Sequence, residues 1–332
     1  MVKLARHAMA CRFELVLPGD DPTRLRAAGE EALGEIERLE AKLSYYRPTS
    51  LLSRVNREAA RQPVRVDPLF FELLETAHAV HAATDGAFDL TVGPLMRAWG
   101  FVRDTGHPPE EEALHAAREA TGLHHVQLDP TQRTVGFAQQ GVEIELGAIG
   151  KGYALDEAAL ILEEHGIADA LLHGGTSTVV ALGQPPDADA WTVAVPFPGP
   201  MDEEAKVLSV VEVPSGHALA VSSVWGKAFR DGDRVLGHVL DPRLGEPVAG
   251  ATLAAVLHPS ATIADALSTA FLVLGANAFD YLTAFPELAG ILVVCEHEQE
   301  CLVHAWRLPV DSGGVQVVKY DNRVEPIERG SG

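Results

Sequence analysis

The chain has 332 residues, 47% hydrophobic and 22% charged, with a net charge of −21. That length can bury a sizeable core, while the acidic balance excludes a nucleic-acid surface, which needs a basic stripe against phosphates. An anionic ligand must therefore be drawn by local groups, against the overall field.

The N-terminal stretch MVKLARHAMACRFELVL lacks the apolar core of a signal peptide, and no run reads as long enough to span a bilayer. A cytoplasmic protein without a membrane span is expected. The three cysteines, Cys11, Cys295 and Cys301, are an odd, sparse set that fits a reducing compartment.

In chain order, residues 9–17 alternate as a strand, and a helix rich in Glu, Ala and Leu follows to about Leu43. The polar, aromatic segment LSYYRPTSLLSRVN reads as a loop entering a short helix capped by Thr49 or Ser50. Asp67 and Pro68 open a helix that runs to Ala83. Residues 84–101, TDGAFDLTVGPLMRAWGF, combine turn glycines with Phe88, Trp99 and Phe101. They form either a surface for a flat ring or a buried aromatic staple. A hairpin follows, turning at Asp129-Pro130.

The stretch from Glu143 to Gly183 organises the rest. Val142, Ile144 and Leu146 alternate as a strand, Gly147, Gly150 and Gly152 form a turn, and an amphipathic helix runs from about Tyr153 to Gly166. A helix N-terminus beside Lys151 suits an anion. Neither phosphate-loop pattern fits, because Gly150-Lys151 is followed by Gly152 and the glycine spacing reverses the dinucleotide fingerprint. A tight turn without a ligand is the alternative.

Beyond Gly183 the chain reads as short strands parted by Gly, Pro and Asp turns, an antiparallel sheet. His238 and Asp241 stand in the segment RVLGHVLDPRLGEPV. In the helix of residues 260–275, capped near Ser260 or Thr262, Asp265 and Thr269 lie four apart on one face, so both oxygens can point at one spot. Such oxygens suit Mg²⁺, and a buried Asp bonded to Thr is the alternative. CEHEQEC offers Cys295, His297 and Cys301 as metal ligands, but its place between two apolar runs makes a hairpin tip the simpler reading.

Five segments occur in the order of one known family: AMACRFEL, LSYYRPTSLLSRVN, TDGAFDLTVGPLMRAWGF, IELGAIGKGYALD with the later HGG, and HVLDPRLGEPV with ADALSTAFLVLG. The chain resembles the ApbE family of FAD:protein FMN transferases. The resemblance implies one α+β domain over residues 1–320, with helices packed on mixed, largely antiparallel sheets, an FAD cleft between two lobes and a frayed tail at 321–332. It also implies a Mg²⁺-dependent enzyme that cleaves FAD, attaches FMN to a Thr or Ser of a target flavoprotein and releases AMP.

Carried over one at a time, Met9 and Tyr46 border the flavin or adenine pocket. Ala87, Phe88 and Asp89 form part of the FAD cradle, and Glu145 binds the adenosine part. Ala148 offers its carbonyl to the metal with Asp265 and Thr269. His238 and Asp241 lie near the phosphates. The chemistry of pyrophosphate cleavage adds two roles, Lys151 neutralising charge and His238, by residue type and neighbourhood, taking the proton of the incoming hydroxyl.

The chain departs from the family pattern at Cys11, at Thr176-Ser177 after the glycine pair, at Val224-Trp225 and at Leu244. These positions keep two other readings open, an FAD pyrophosphatase giving FMN and AMP, and an FAD-binding protein without turnover.

Overall fold

The computed structural model describes all residues except 104–105, 197–206, 226–227, 233, 298–299, 309–318 and 325–332. Its frame is one nine-stranded sheet. The strands are β1 (Val2–Ala8), β2 (Cys11–Leu17), β3 (Ala170–Gly174), β4 (Thr178–Leu182), β5 (His217–Ser223), β6 (Ala251–His258), β7 (Ala289–His297), β8 (Glu300–Trp306) and β9 (Lys319–Val324).

Each strand lies beside its predecessor, and every pair is antiparallel except the parallel β8–β9. The sheet is thus a meander, and everything else is inserted between its neighbours. Most of the helices come from the single excursion between β2 and β3. The helices are α1 (Pro22–Leu43), α2 (Leu51–Glu58), α3 (Pro68–Ala83), α4 (Gly93–Ala98), α5 (Glu111–Glu119), α6 (Gly150–Glu164) and α7 (Ala261–Leu274).

Period-two alternation gives the sheet two buried faces. On β6, Ala254 and Val256 point into the main core with α1, α6 and α7, while Leu253, Ala255 and Leu257 point to a second core. A hairpin of Trp191–Pro196 and Val207–Val213 covers that second face. The helix starts follow their caps. Asp67 accepts from Phe70 N–H, Ser50 from Ser53 N–H and Ser260 from Ile263 N–H.

Three expectations change, and one pair of alternatives is resolved. First, residues 142–146 make no strand. Instead the Asn56 side-chain amide donates to Ile144 O and accepts from Ile144 N–H, both at 2.9 Å, while Glu145 N–H donates to Leu90 O. The alternating burial is genuine, but an amide side chain serves where a partner strand was expected. Second, Asp321–Val324, assigned to a frayed tail, completes β9.

Third, the run Ala261–Leu282 is long and apolar enough to cross a membrane by length and composition, contrary to the reading that no run is. Most of its apolar window is buried, because α7 is the central helix of the core. Of the two readings of residues 84–101, Trp99 and Phe101 bear out the buried staple. Trp99 donates from its indole to Gly245 O at 2.9 Å, and Phe101 and Trp99 lie 5.6 and 6.4 Å from Phe229.

Cys295 pairs with Cys301 across the β7–β8 hairpin, as a hairpin tip requires. The side chains of 295–301, which carry the alternative metal reading, lie outside the described residues.

Burial lowers the pKa of His173 on β3 and of His258 at the end of β6. A lowered folded pKa means that the unfolded chain binds more protons, so stability rises with pH through this range. The thermal midpoint is therefore expected to fall as pH drops below about 6.5, the ordinary histidine value. His173→Gln is expected to flatten that part of a scan of midpoint against pH.

Candidate active site

The site is built where α6 starts against α7. Gly152 allows the approach, because a Cβ there would overlap the Ala261 carbonyl oxygen and stand 2.8 Å from Asp265 Cβ. Asp156, one turn further along α6, then clamps the start of α7. Its carboxylate accepts from Ser260 Oγ, Ala261 N–H, Thr262 N–H and Thr262 Oγ1 at 2.6–2.9 Å. The helix begins at Gly150, not at Tyr153, because this glycine-bearing turn is itself packed against α7.

Asp265 is 3% exposed. Its Oδ2 accepts from Gly152 N–H at 3.0 Å and its Oδ1 from Thr178 Oγ1 at 3.4 Å. Lys151 Nζ stands 3.7 Å from Oδ1 and donates to Gly147 O at 3.2 Å. The α6 terminus therefore does hold an anion, but it is the protein's own. Gly152 N–H serves Asp265, and Gly150 N–H is taken by Leu146 O.

One turn on, Thr269 Oγ1 donates to Asp265 O at 3.4 Å and meets Ser222 Oγ of β5 at 3.1 Å. Ser222 also meets Ser268 Oγ at 2.8 Å. The structure thus brings Lys151, Asp265 and Thr269 together, with Ala148 in the turn just before α6. The supporting contacts of Thr178 and Ser222 were not foreseen. Their signal in the sequence is weak, since each is a small polar residue at one end of a strand.

Cys11 borders the same place. Its Sγ lies 3.4 Å from where a Cβ on Gly175 would stand, and burial raises its pKa while Lys151 lowers it and Asp265 raises it. Met9 and Ala10, at φ 49° and 57°, form the tight β1–β2 turn beside it.

The other expected residues sit around this centre in varied roles. Ala87 and Phe88 are buried. Asp89 holds its own turn, accepting from Thr91 N–H, Thr91 Oγ1 and Leu123 N–H at 2.5–2.8 Å. Glu145 accepts from Gly147 N–H at 2.9 Å and is joined through its own N–H to Leu90, which brings the 87–90 and 145–148 segments side by side.

Tyr46 is exposed and meets Tyr45 edge-on at 5.5 Å. Tyr45 in turn donates to Glu143 Oε2 at 2.5 Å, and Arg97 donates to both. This Tyr–Glu–Arg cluster was not foreseen either, because its members come from three segments. Burial and the Glu143 carboxylate push the Tyr45 pKa up, so its phenol stays protonated.

His238 follows the strand Arg234–Gly237 and lies edge-on to Phe101 at 6.5 Å. Asp241 is buried and forked by Arg243, with Nε at 3.0 Å and Nη2 at 2.7 Å. Its carboxylate is committed to the turn that carries Leu244, which is 60% exposed.

A meandering mixed sheet, packed against two helices that bring a lysine, a buried carboxylate and a hydroxyl to their junction, defines an α+β class. The ApbE family model matches residues 9–292, and the chain belongs to that family. It is 30% identical over 287 residues to an FAD:protein FMN transferase of Klebsiella pneumoniae, covering 84% of this chain and 80% of the relative. A Salmonella typhimurium protein of the same name is 32% identical over 264 residues, 77% of this chain and 73% of that one.

Among solved structures, the ApbE protein of Thermotoga maritima superposes with a TM-score of 0.80 at 29% identity, over 88% of this chain and 94% of that one. The flavin transferase ApbE of Vibrio cholerae gives 0.79 at 26% identity, over 92% and 96%.

Proposed function

We propose that this chain is an FAD:protein FMN transferase that is Mg²⁺-dependent, attaches FMN through a phosphoester to a Thr or Ser of a target flavoprotein, and releases AMP. The observation that carries the reading is the convergence of Asp265, Thr269 and Lys151 beside the Gly147-Ala148 turn. The donors fit the metal. They are hard oxygens from one carboxylate, one hydroxyl and a backbone carbonyl, and a lysine ammonium already stands against the carboxylate. Among the described residues no group of three His, Cys, Asp or Glu could hold a metal, so the site draws on oxygens of mixed type.

When bound, Mg²⁺ supplies neutralisation of charge on the pyrophosphate. The chain's own groups do the rest. Lys151 offsets phosphoryl charge, and His238 takes the proton of the incoming hydroxyl. The hydroxyl oxygen bonds to the FMN-side phosphorus as that phosphorus loses its bond to the bridging oxygen, which leaves with AMP. Met9, Tyr46, Ala87, Phe88, Asp89 and Glu145 border the FAD, while Ala148 O joins Asp265 and Thr269. Asp241, held by Arg243, shapes the turn near the phosphates.

The test is purified protein with FAD and Mg²⁺, with and without a peptide carrying an acceptor Thr. AMP released only with the peptide, and flavin attached to it, is the expected result. AMP with free FMN in both arms would instead favour the pyrophosphatase, and FAD binding without AMP the inactive binder.

A further inference from the structure

A carboxylate as buried as Asp265 is costly unless a counter-charge or donors meet it. Two donors do so, Gly152 N–H and Thr178 Oγ1, but neither carries charge. The charge comes from Lys151, whose ammonium lies 3.7 Å from Oδ1 and also donates to Gly147 O. This is an unexpected place for a lysine. Lys151 is the second residue of α6, and a cation in the first turn faces the positive end of the helix dipole. Asp265 outweighs that penalty by proximity and burial.

Thus the ammonium stands 3.7 Å from an oxygen of the same carboxylate that is read as a metal ligand. We infer that Lys151 is a stand-in cation, which occupies the Asp265 site when no divalent ion is bound and is displaced when one binds. The inference rests on the reading of Asp265 and Thr269 as metal ligands. Two positive charges cannot share one buried carboxylate oxygen at van der Waals range without strong repulsion. The lysine head is free to leave, because it hangs on four methylenes and its side chain, 24% exposed, reaches solvent. Release presents the ammonium to an anionic ligand only once the metal is in place. Metal binding and the supply of a phosphate-binding cation are then one event.

The full-length protein is tested with Mn²⁺ alone, without FAD. Binding is followed by electron paramagnetic resonance of free Mn²⁺, and the reactivity of each lysine towards an acetylating reagent by peptide mass spectrometry. Release from the carboxylate turns a largely covered side chain, 24% exposed, out to the reagent, so Lys151 is expected to be acetylated at least about threefold faster with Mn²⁺ bound. Lys42, paired with Asp67 at 2.6 Å on another part of the surface, is expected not to change.

In Asp265→Asn, Lys151 is expected to react fast with or without Mn²⁺. In Lys151→Gln, Mn²⁺ is expected to bind about tenfold tighter, since it no longer competes with the ammonium. Mn²⁺ binding with unchanged Lys151 reactivity would overturn the displacement and leave the metal site standing. Weaker Mn²⁺ binding in Lys151→Gln would also overturn it. Failure of wild-type protein to bind Mn²⁺ at millimolar concentration would remove the metal reading, and the displacement with it.

Discussion

Asp265→Asn is expected to lower FMN transfer by on the order of 10²-fold or more while leaving the fold intact. The substitution is nearly isosteric. The side-chain oxygen of Asn can still accept from Gly152 N–H, so the α6–α7 junction keeps its bridging hydrogen bond. What disappears is the single full negative charge among the oxygens that face Lys151. Without it the proposed metal would lose its one charged ligand, and the lysine loses its counter-ion.

Activity and stability should therefore part company. The thermal midpoint without metal is expected to stay within a few degrees of wild type, whereas the rise in midpoint on adding millimolar Mg²⁺ should vanish, because stabilisation by a ligand follows its affinity. Differential scanning with and without Mg²⁺, beside an AMP-release assay, checks both halves. A variant that retains full transfer would exclude Asp265 as a metal ligand.

Gly152→Ala acts by a different route, and its damage begins in the fold. The added Cβ would overlap the Ala261 carbonyl oxygen, stand 2.6 Å from its carbonyl carbon and lie 2.8 Å from Asp265 Cβ. The first two are backbone atoms of α7, which no side-chain rotation can move aside. The helices must separate, and with them the bond from Gly152 N–H to Asp265 and the four contacts of Asp156 with the start of α7.

Overpacking of this kind costs about 3 kcal/mol, and transfer activity should fall with it because Asp265 moves relative to Lys151. Gly150→Ala is the matched control. There the nearest atom to a new Cβ is Leu146 Cβ at 3.7 Å, an ordinary contact, so stability should change by less than about 1 kcal/mol. Urea titrations of both variants separate the two cases. Equal midpoints would show that α6 and α7 can part without cost.

These two sites show how the chain's information is divided. Caps and periodicity are local, and they were legible. Asp67-Pro68 and Ser260 start helices where their side chains can satisfy backbone donors, and turn residues parted the strands of the second half. The four-residue spacing of Asp265 and Thr269 also placed both on one helical face before any fold was known. The family resemblance, spread over separated segments, pointed to the same residues.

Other features depend on what lies across from a residue, and no window of sequence contains that. Val142 to Leu146 alternate as a strand does, yet the partner is one asparagine amide from α2. The three glycines of the α6 turn looked like a cradle for a foreign anion. Only the packing of α7 shows that Gly152 makes room for Ala261 and that the anion received there is Asp265. Trp99 and Phe101 could be read as a ring-binding surface or a buried staple, and only their packing against Phe229 shows the staple.

By itself, then, the sequence determined the capped helices, the family and the oxygen-bearing face of α7, because these follow from near-neighbour geometry and recurring motifs. The tertiary structure alone decided that Lys151 answers Asp265, since a buried charge is balanced by whichever group the fold brings within reach.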